Sequence, residues 1–218
     1  MKKILLIYFL SFHAISELTL EITQGTEDPY RVAIIKFSGA DKATADIQKV
    51  VFDNLLRTGE FTIFNNEDLL SIPQIEEDIV FNDFRILDID FLVMGKVEDD
   101  GLNIAVEYQV FDISKAKKIR TSTVYGKPNK DRQLAHYVSD GIYQEITGIP
   151  GIASTKILYV TEANNFKLQI SDADGNNEQV LLESPEPIIS PSWSPDSKKV
   201  AYVSFETGIA KVLSLIHI

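Results

Sequence analysis

Beyond residue 150 the chain breaks into short apolar runs: KILYVTE, FKLQIS, EQVLLES, PSWS, KKVAYVSF and AKVLSL. Turn-forming clusters (NN, DADGNN, SPEP, SPDS and ETG) stand between them. No stretch here carries the period of an amphipathic helix. Strands this short and this closely spaced cannot bury their apolar side chains within one hairpin. They demand an all-β repeat architecture in which successive small sheets cover one another. The segment IPGIAS, residues 149–154, reads as the linker into this region, which spans residues 150–212.

The part before the linker has a different grammar. RVAIIKF, residues 31–37, is a continuous apolar run of the kind buried on both faces of a sheet. In the following stretch Ile47, Val50, Val51 and Leu55 recur at helical spacing, with Gly59 placed to end the helix. FTIFN and IDFLVMGKVE read as further strands, Asp99-Asp100-Gly101 as a hairpin turn, and the runs up to Pro128 as antiparallel strands. A last helix is expected over RQLAHYVSDGIYQEITG, with Leu134, Tyr137, Val138, Ile142 and Ile146 on its apolar face. Residues 26–149 are therefore expected to form an α+β domain, a mixed sheet with helices on one or both faces.

The N-terminus has its own pattern. Lys2 and Lys3 precede a short apolar run from Ile4 to Phe12, and small residues follow. This is the layout of a secretory signal peptide over residues 1–16, cleaved between Ser16 and Glu17. The apolar run is too short to span a bilayer comfortably. With no cysteine after the site, a lipoprotein anchor is excluded. Next comes ELTLEIT. Leu18, Leu20 and Ile22 alternate with Glu17, Thr19, Glu21 and Thr23, the period of a strand with one apolar face. Residues 17–25 thus read as a strand that must pair with its own domain or with a partner.

Chemistry is sparse. The chain has no cysteine, which excludes disulfides, thiolate catalysis and cysteine-based metal sites. The formal charge of −11 argues against nucleic acid as a partner. His136 is the one histidine within the two folded regions, and it is expected on a solvated or half-buried helix face. Asp172, Asp174, Asn176 and Glu183 fall at ligand positions of a calcium loop, but Asn177 stands where such a loop needs glycine and the flanks read as strands, so DADGNN is read as a hairpin turn. Asp78, Asp83, Asp88, Asp90, Asp99 and Asp100 read as solvated loop and edge positions. No catalytic, cofactor-binding or metal-binding residue is assigned.

The stretch PSWSPDSKKVAYVSF resembles the blade motif of one group of β-propellers, with Trp193, Ser194, Pro195 and Asp196 as its core. Ser197 stands where that motif has glycine, which makes the turn awkward if a positive φ is needed. Together with LTLEITQG behind a signal peptide and SDGIYQEITGIPGIASTKILYV at the linker, the chain from residue 17 to about 212 is similar to the TolB family. That resemblance implies a six-bladed propeller in the intact family, of which roughly one and a half blades are present here. The chain is therefore read as an N-terminal fragment, and LSLIHI (residues 213–218) as a doubtful tail that departs from the family's continuation.

The resemblance further implies a periplasmic, non-enzymatic component of the Tol-Pal system of Gram-negative bacteria. Such a component links TolA and Pal in outer-membrane constriction during cell division and in envelope integrity. By this resemblance Glu17, Leu18, Thr19, Leu20, Glu21, Ile22 and Thr23 would engage the C-terminal domain of TolA. Pal would bind propeller blades mostly missing here, and no cofactor would be needed. Two alternatives stay open on residues alone: the front part of an exported propeller-containing hydrolase of the prolyl-peptidase type, or a generic cell-surface binding propeller.

Overall fold

The computed structural model describes residues 28–39 and 41–216. The signal segment, its Ser16–Glu17 junction and the strand read at 17–25 lie outside the described residues, as do His217 and Ile218.

The first region runs β1 (Tyr30–Ile34), β2 (Ser38–Gly39), α1 (Asp41–Arg57), β3 (Phe61–Phe64), α2 (Phe81–Ile86), β4 (Phe91–Asp99), β5 (Ile104–Asp112), β6 (Lys117–Gly126) and α3 (Asp131–Thr147). Its sheet has the order β3-β1-β4-β5-β6, with β2 alongside β4. β1 is parallel to β3 and β4, whereas β4, β5 and β6 form an antiparallel meander. The sheet is mixed, and the α+β reading holds.

Alternation along the central strands sends side chains to two cores. On one face α1 contributes Ile47, Val51 and Leu55, and α3 contributes Leu134, Val138 and Ile142, against Val32, Val93, Val106 and Val110. On the other, α2 and its flanking loops place Phe84 and Ile89 against Ala33, Leu92 and Phe111. The apolar stripe of α1 is the one expected. In α3 the phase differs: Tyr137 is 45% exposed, while Ala135, His136 and Ser139 are buried beside Leu134 and Val138. The buried arc of α3 is wider than its apolar stripe, because a second surface also rests on this helix. Gly148, in the left-handed conformation at φ 77°, closes α3 with its N–H on the Gln144 carbonyl.

After the linker come two three-stranded antiparallel sheets: β7 (Lys156–Glu162), β8 (Phe166–Asp172), β9 (Gln179–Ser184), then β10 (Ile188–Trp193), β11 (Lys199–Ser204), β12 (Lys211–Ile216). Neither sheet has enough apolar surface for a core of its own. They share one, with Leu168, Ile188, Val200 and Tyr202 at its centre and Leu158, Trp193 and Leu215 at its margins. Leu213 and Leu215 of the doubtful tail are strand residues, opposite Tyr202 and Val200. Outward of them Val212 is 77% exposed.

The WSPD turn is built by hydrogen bonds from side chain to backbone. Ser194 Oγ donates to Asp196 Oδ1 at 2.6 Å and accepts the Lys199 N–H at 3.0 Å. Asp196 Oδ1 also accepts the Lys198 N–H. Ser197 adopts φ 56°, the left-handed region that glycine occupies without cost. Ser197→Gly is therefore expected to stabilise the β-sheet region by about 0.5–1 kcal/mol, readable as a higher urea midpoint with unchanged slope.

Candidate functional site

Both regions meet at α3, and the charged residues of the strand region converge there. The β8–β9 hairpin lays Asp172 and Asp174 over the N-terminal half of α3, facing Arg132 and His136. The hairpin itself follows from its sequence. Gly175 takes φ 80° and Asn177 φ 53°, and Asp174 Oδ1 accepts the Asn176 N–H at 3.0 Å, so DADGNN is a turn.

The charges of the junction are matched. Arg132 pairs with Asp174 and Lys156 with Asp172. Burial pushes both carboxyls up. The hydrogen bonds of Lys156 and Asn177 to Asp172, and of Asn176 together with the charge of Arg132 on Asp174, outweigh burial and hold both below the ordinary 3.8.

His136 lies at the centre and is 2% exposed, which corrects the expectation of a solvated or half-buried face. Its environment assigns its tautomer. Arg57 can only donate, so the 3.3 Å contact to Asn54 Oδ1 makes that atom the amide oxygen. Ser139 Oγ gives its hydrogen to the Ala135 carbonyl at 2.7 Å, so it accepts from Asn54 Nδ2 at 2.9 Å. The second hydrogen of Asn54 Nδ2 is then directed to His136 Nδ1, also at 2.9 Å. Nδ1 is an acceptor, and the ring proton sits on Nε2. That nitrogen faces Asp172 Oδ2 at 3.6 Å and Asp174 Oδ2 at 3.7 Å, just beyond hydrogen-bond reach, and has no hydrogen-bond partner.

Two familiar chemistries can be tested against this geometry. Ser139, His136 and Asp172 have the residue types of a hydrolase triad, but the Ser139 hydroxyl is bonded to Ala135 and Asn54 rather than to the imidazole, and the group is buried. His136, Asp172 and Asp174 could in principle hold a metal ion. Arg132 and Lys156 already occupy both carboxylates, so a divalent cation would have to displace the guanidinium from Asp174. The arrangement is an electrostatic joint between the two regions rather than a reaction centre.

The joint continues into the linker. Asp140 of α3 accepts the N–H groups of Ala153 and Ser154 at 2.7 and 3.0 Å, pinning the linker to the helix. Beside it lies a mostly apolar cleft of about 330 Å³, lined by Leu55, Tyr143, Ile149, Pro150, Ile152 and Ala173. Tyr143 Oη donates to the Glu60 carboxylate, and its ring stacks edge-on against Phe61, which in turn meets Tyr30. Asp28 and Pro29, just before β1, line a separate hollow with Arg85, Asp90 and Ser114.

Of the residues singled out in the sequence, Trp193 to Asp196 lie at the end of β10, away from the joint. Asp172 and Asp174 lie within it. His136, Arg132 and Asn54 are the members that sequence reasoning did not bring together. Complementary charge was the available signal: Arg132 and His136 one helical turn apart, and an Asp-x-Asp turn further along the chain.

An α+β domain that leads through α3 and a short linker into blade-like antiparallel sheets has the layout of a propeller-bearing protein. Family comparison agrees. Residues 18–119 match the TolB amino-terminal domain, and residues 143–216 match the TolB β-propeller domain. The Tol-Pal system protein TolB of Alcanivorax borkumensis is 41% identical over 197 residues, 88% of this chain and 45% of that protein. Its counterpart in Alkalilimnicola ehrlichii is 35% identical over 88% of this chain and 47% of its own length. The crystal structure of TolB from Acinetobacter baumannii superposes with a TM-score of 0.80 at 33% identity, covering 90% of this chain and 49% of that one. The chain belongs to the TolB family and spans about half the length of the relatives it matches. No helix among the described residues is long and apolar enough to cross a membrane.

Proposed function

We propose that the chain acts in the Tol-Pal system of the bacterial envelope as a non-enzymatic connector exported to the periplasm. Its working part is the leading strand, residues 17–25, which adds to a sheet edge of the C-terminal domain of TolA. The observation that carries this reading is the strict alternation of ELTLEIT. Such a strand offers backbone hydrogen bonds along one edge and three apolar side chains on one face, the requirements of strand addition. The likeness to TolB proteins supports a further step. The segment alternates between a form held on its own chain and a form free to reach TolA, and Pal, bound at the propeller, favours one of the two forms. Pal can shift that balance only by the difference in its affinity for them.

The assay is titration calorimetry with the C-terminal domain of TolA. Removing residues 17–25 is expected to lower affinity at least about 100-fold, roughly the loss of a few kcal/mol of binding energy. Unchanged affinity after the deletion would place the TolA contact elsewhere on the chain.

A further inference from the structure

We propose that the junction between the α+β domain and the propeller strands is a proton-sensitive latch, closed while His136 is neutral and loosened when it is charged. The inference rests on the joint alone and is independent of which proteins the chain binds.

The argument begins with Asn54. Its amide is held in one orientation by Arg57 on the oxygen and by Ser139 on the nitrogen, and it presents an N–H to His136 Nδ1. A charged imidazole carries hydrogens on both nitrogens. Protonation at Nδ1 would set two donors against each other at 2.9 Å. Asn54 would have to turn its amide over, placing its NH2 group against Arg57 and its oxygen away from it. The neighbours of Nδ1 therefore oppose the charge.

The neighbours of Nε2 favour it, but weakly. From the hairpin, Asp172 and Asp174 approach to 3.6 and 3.7 Å. Each is already matched, Asp174 by Arg132 from α3 and Asp172 by Lys156 from β7. Arg132 also lies 3.9 Å from Asp172, on the same side as the imidazole. The field of the two carboxylates at His136 is thus largely cancelled, while the cost of burying a new charge remains. Burial comes first among the influences on His136 and holds its pKa below the ordinary 6.5, against the pull of Asp174 and Asp172.

The sign follows. With the folded value depressed, the contribution of neutral His136 is complete above about pH 6.5. It is lost as pH falls through the folded value. Asp172 and Asp174 stay ionised across that window, since both are held below 3.8. Acidification therefore acts through His136. The imidazole can then regain water only by separating α3 from the hairpin, which leaves each region with its own core.

The test uses the full chain and two readouts. Imidazole ¹⁵N shifts, assigned with His136→Asn, should show the Nε2–H tautomer at pH 7.5 and a midpoint below 6.5. Amide exchange, corrected for intrinsic rate, should show at least tenfold loss of protection at the Asp172–Asn177 hairpin and at Ala153 and Ser154 below that midpoint. The strands of both regions should stay protected. His136→Asn keeps an acceptor for Asn54 and should abolish the pH step. Asn54→Asp supplies an acceptor for a charged imidazole and should move the step to higher pH. A His136 midpoint at or above 6.5, or loss of protection in β4 and β5 together with the hairpin, would overturn the latch. So would suppression of the titration by micromolar Zn²⁺ or Ca²⁺, which would show a metal site instead.

Discussion

Asp172→Ala is expected to destabilise the junction by about 1–3 kcal/mol, the cost of removing a buried acceptor and leaving its donors without a partner. Asp172 is 6% exposed at its side chain and serves Lys156 and Asn177 while facing His136 and Arg132. Its removal leaves the Arg132–Asp174 pair in place but deprives Lys156 and Asn177 of the acceptor that fixes the hairpin. Lys156→Ala should cost less, about 0–1 kcal/mol, because the lysine side chain is 44% exposed, water can take its place, and Asn177 and Arg132 still face the carboxylate. Differential scanning calorimetry and limited proteolysis at the 149–155 linker would separate the two: the aspartate variant should split the unfolding transition and expose the linker, and the lysine variant should do neither. Equal effects would mean that the pair acts through simple surface charge.

The second large effect is steric. At Gly141, α3 approaches β5 so closely that an added Cβ would lie 2.0 Å from Tyr108 Oη. Tyr108 is 3% exposed and belongs to the main core, so its ring has little room to move. Gly141→Ala is expected to cost about 1–3 kcal/mol, even though alanine is the better helix former. The closest clash is with the hydroxyl, which Tyr108→Phe removes, leaving the milder 2.9 Å approach to Cζ. The double variant should recover much of the loss, a coupling of about 1 kcal/mol or more in a double-mutant cycle by urea denaturation. Additive effects would show that α3 can shift outward, and that the helix–sheet contact is looser than the packing implies.

These two sites also show what was legible in the sequence. Ile47, Val50, Val51 and Leu55 repeat at helical spacing because α1 meets both the sheet and α3 mainly through apolar side chains, and apolar burial writes a hydrophobic period. Val32 to Ile35 and Leu92 to Met94 are apolar at every position because both faces of these strand centres are covered. α3 packs on the sheet and on α1 and also carries the β8–β9 hairpin. The hairpin contact is polar, made by Arg132 and His136, and polar burial leaves no hydrophobic period. The apolar period therefore points to Tyr137, which is exposed, and away from His136, which is buried. In DADGNN the turn chemistry was readable, since Gly and Asn at positive φ are local requirements. That the same aspartates reach α3 was not, because it depends on where β7 and β8 start after the linker. The Ser at position 197 was legible as a departure from the blade motif, and the positive φ it adopts is the backbone conformation that the departure made awkward.

The connector reading depends above all on strand addition by residues 17–25, and a peptide tests it without the rest of the chain. A synthetic peptide of residues 17–27 should bind the isolated C-terminal domain of TolA, with amide shift changes confined to one sheet edge. N-methylation at the backbone positions facing that edge should abolish binding, whereas methylation at the alternate positions should leave it intact. Binding that survives methylation at every position, or no binding by the peptide when the whole chain binds, would contradict strand addition as the function of this segment.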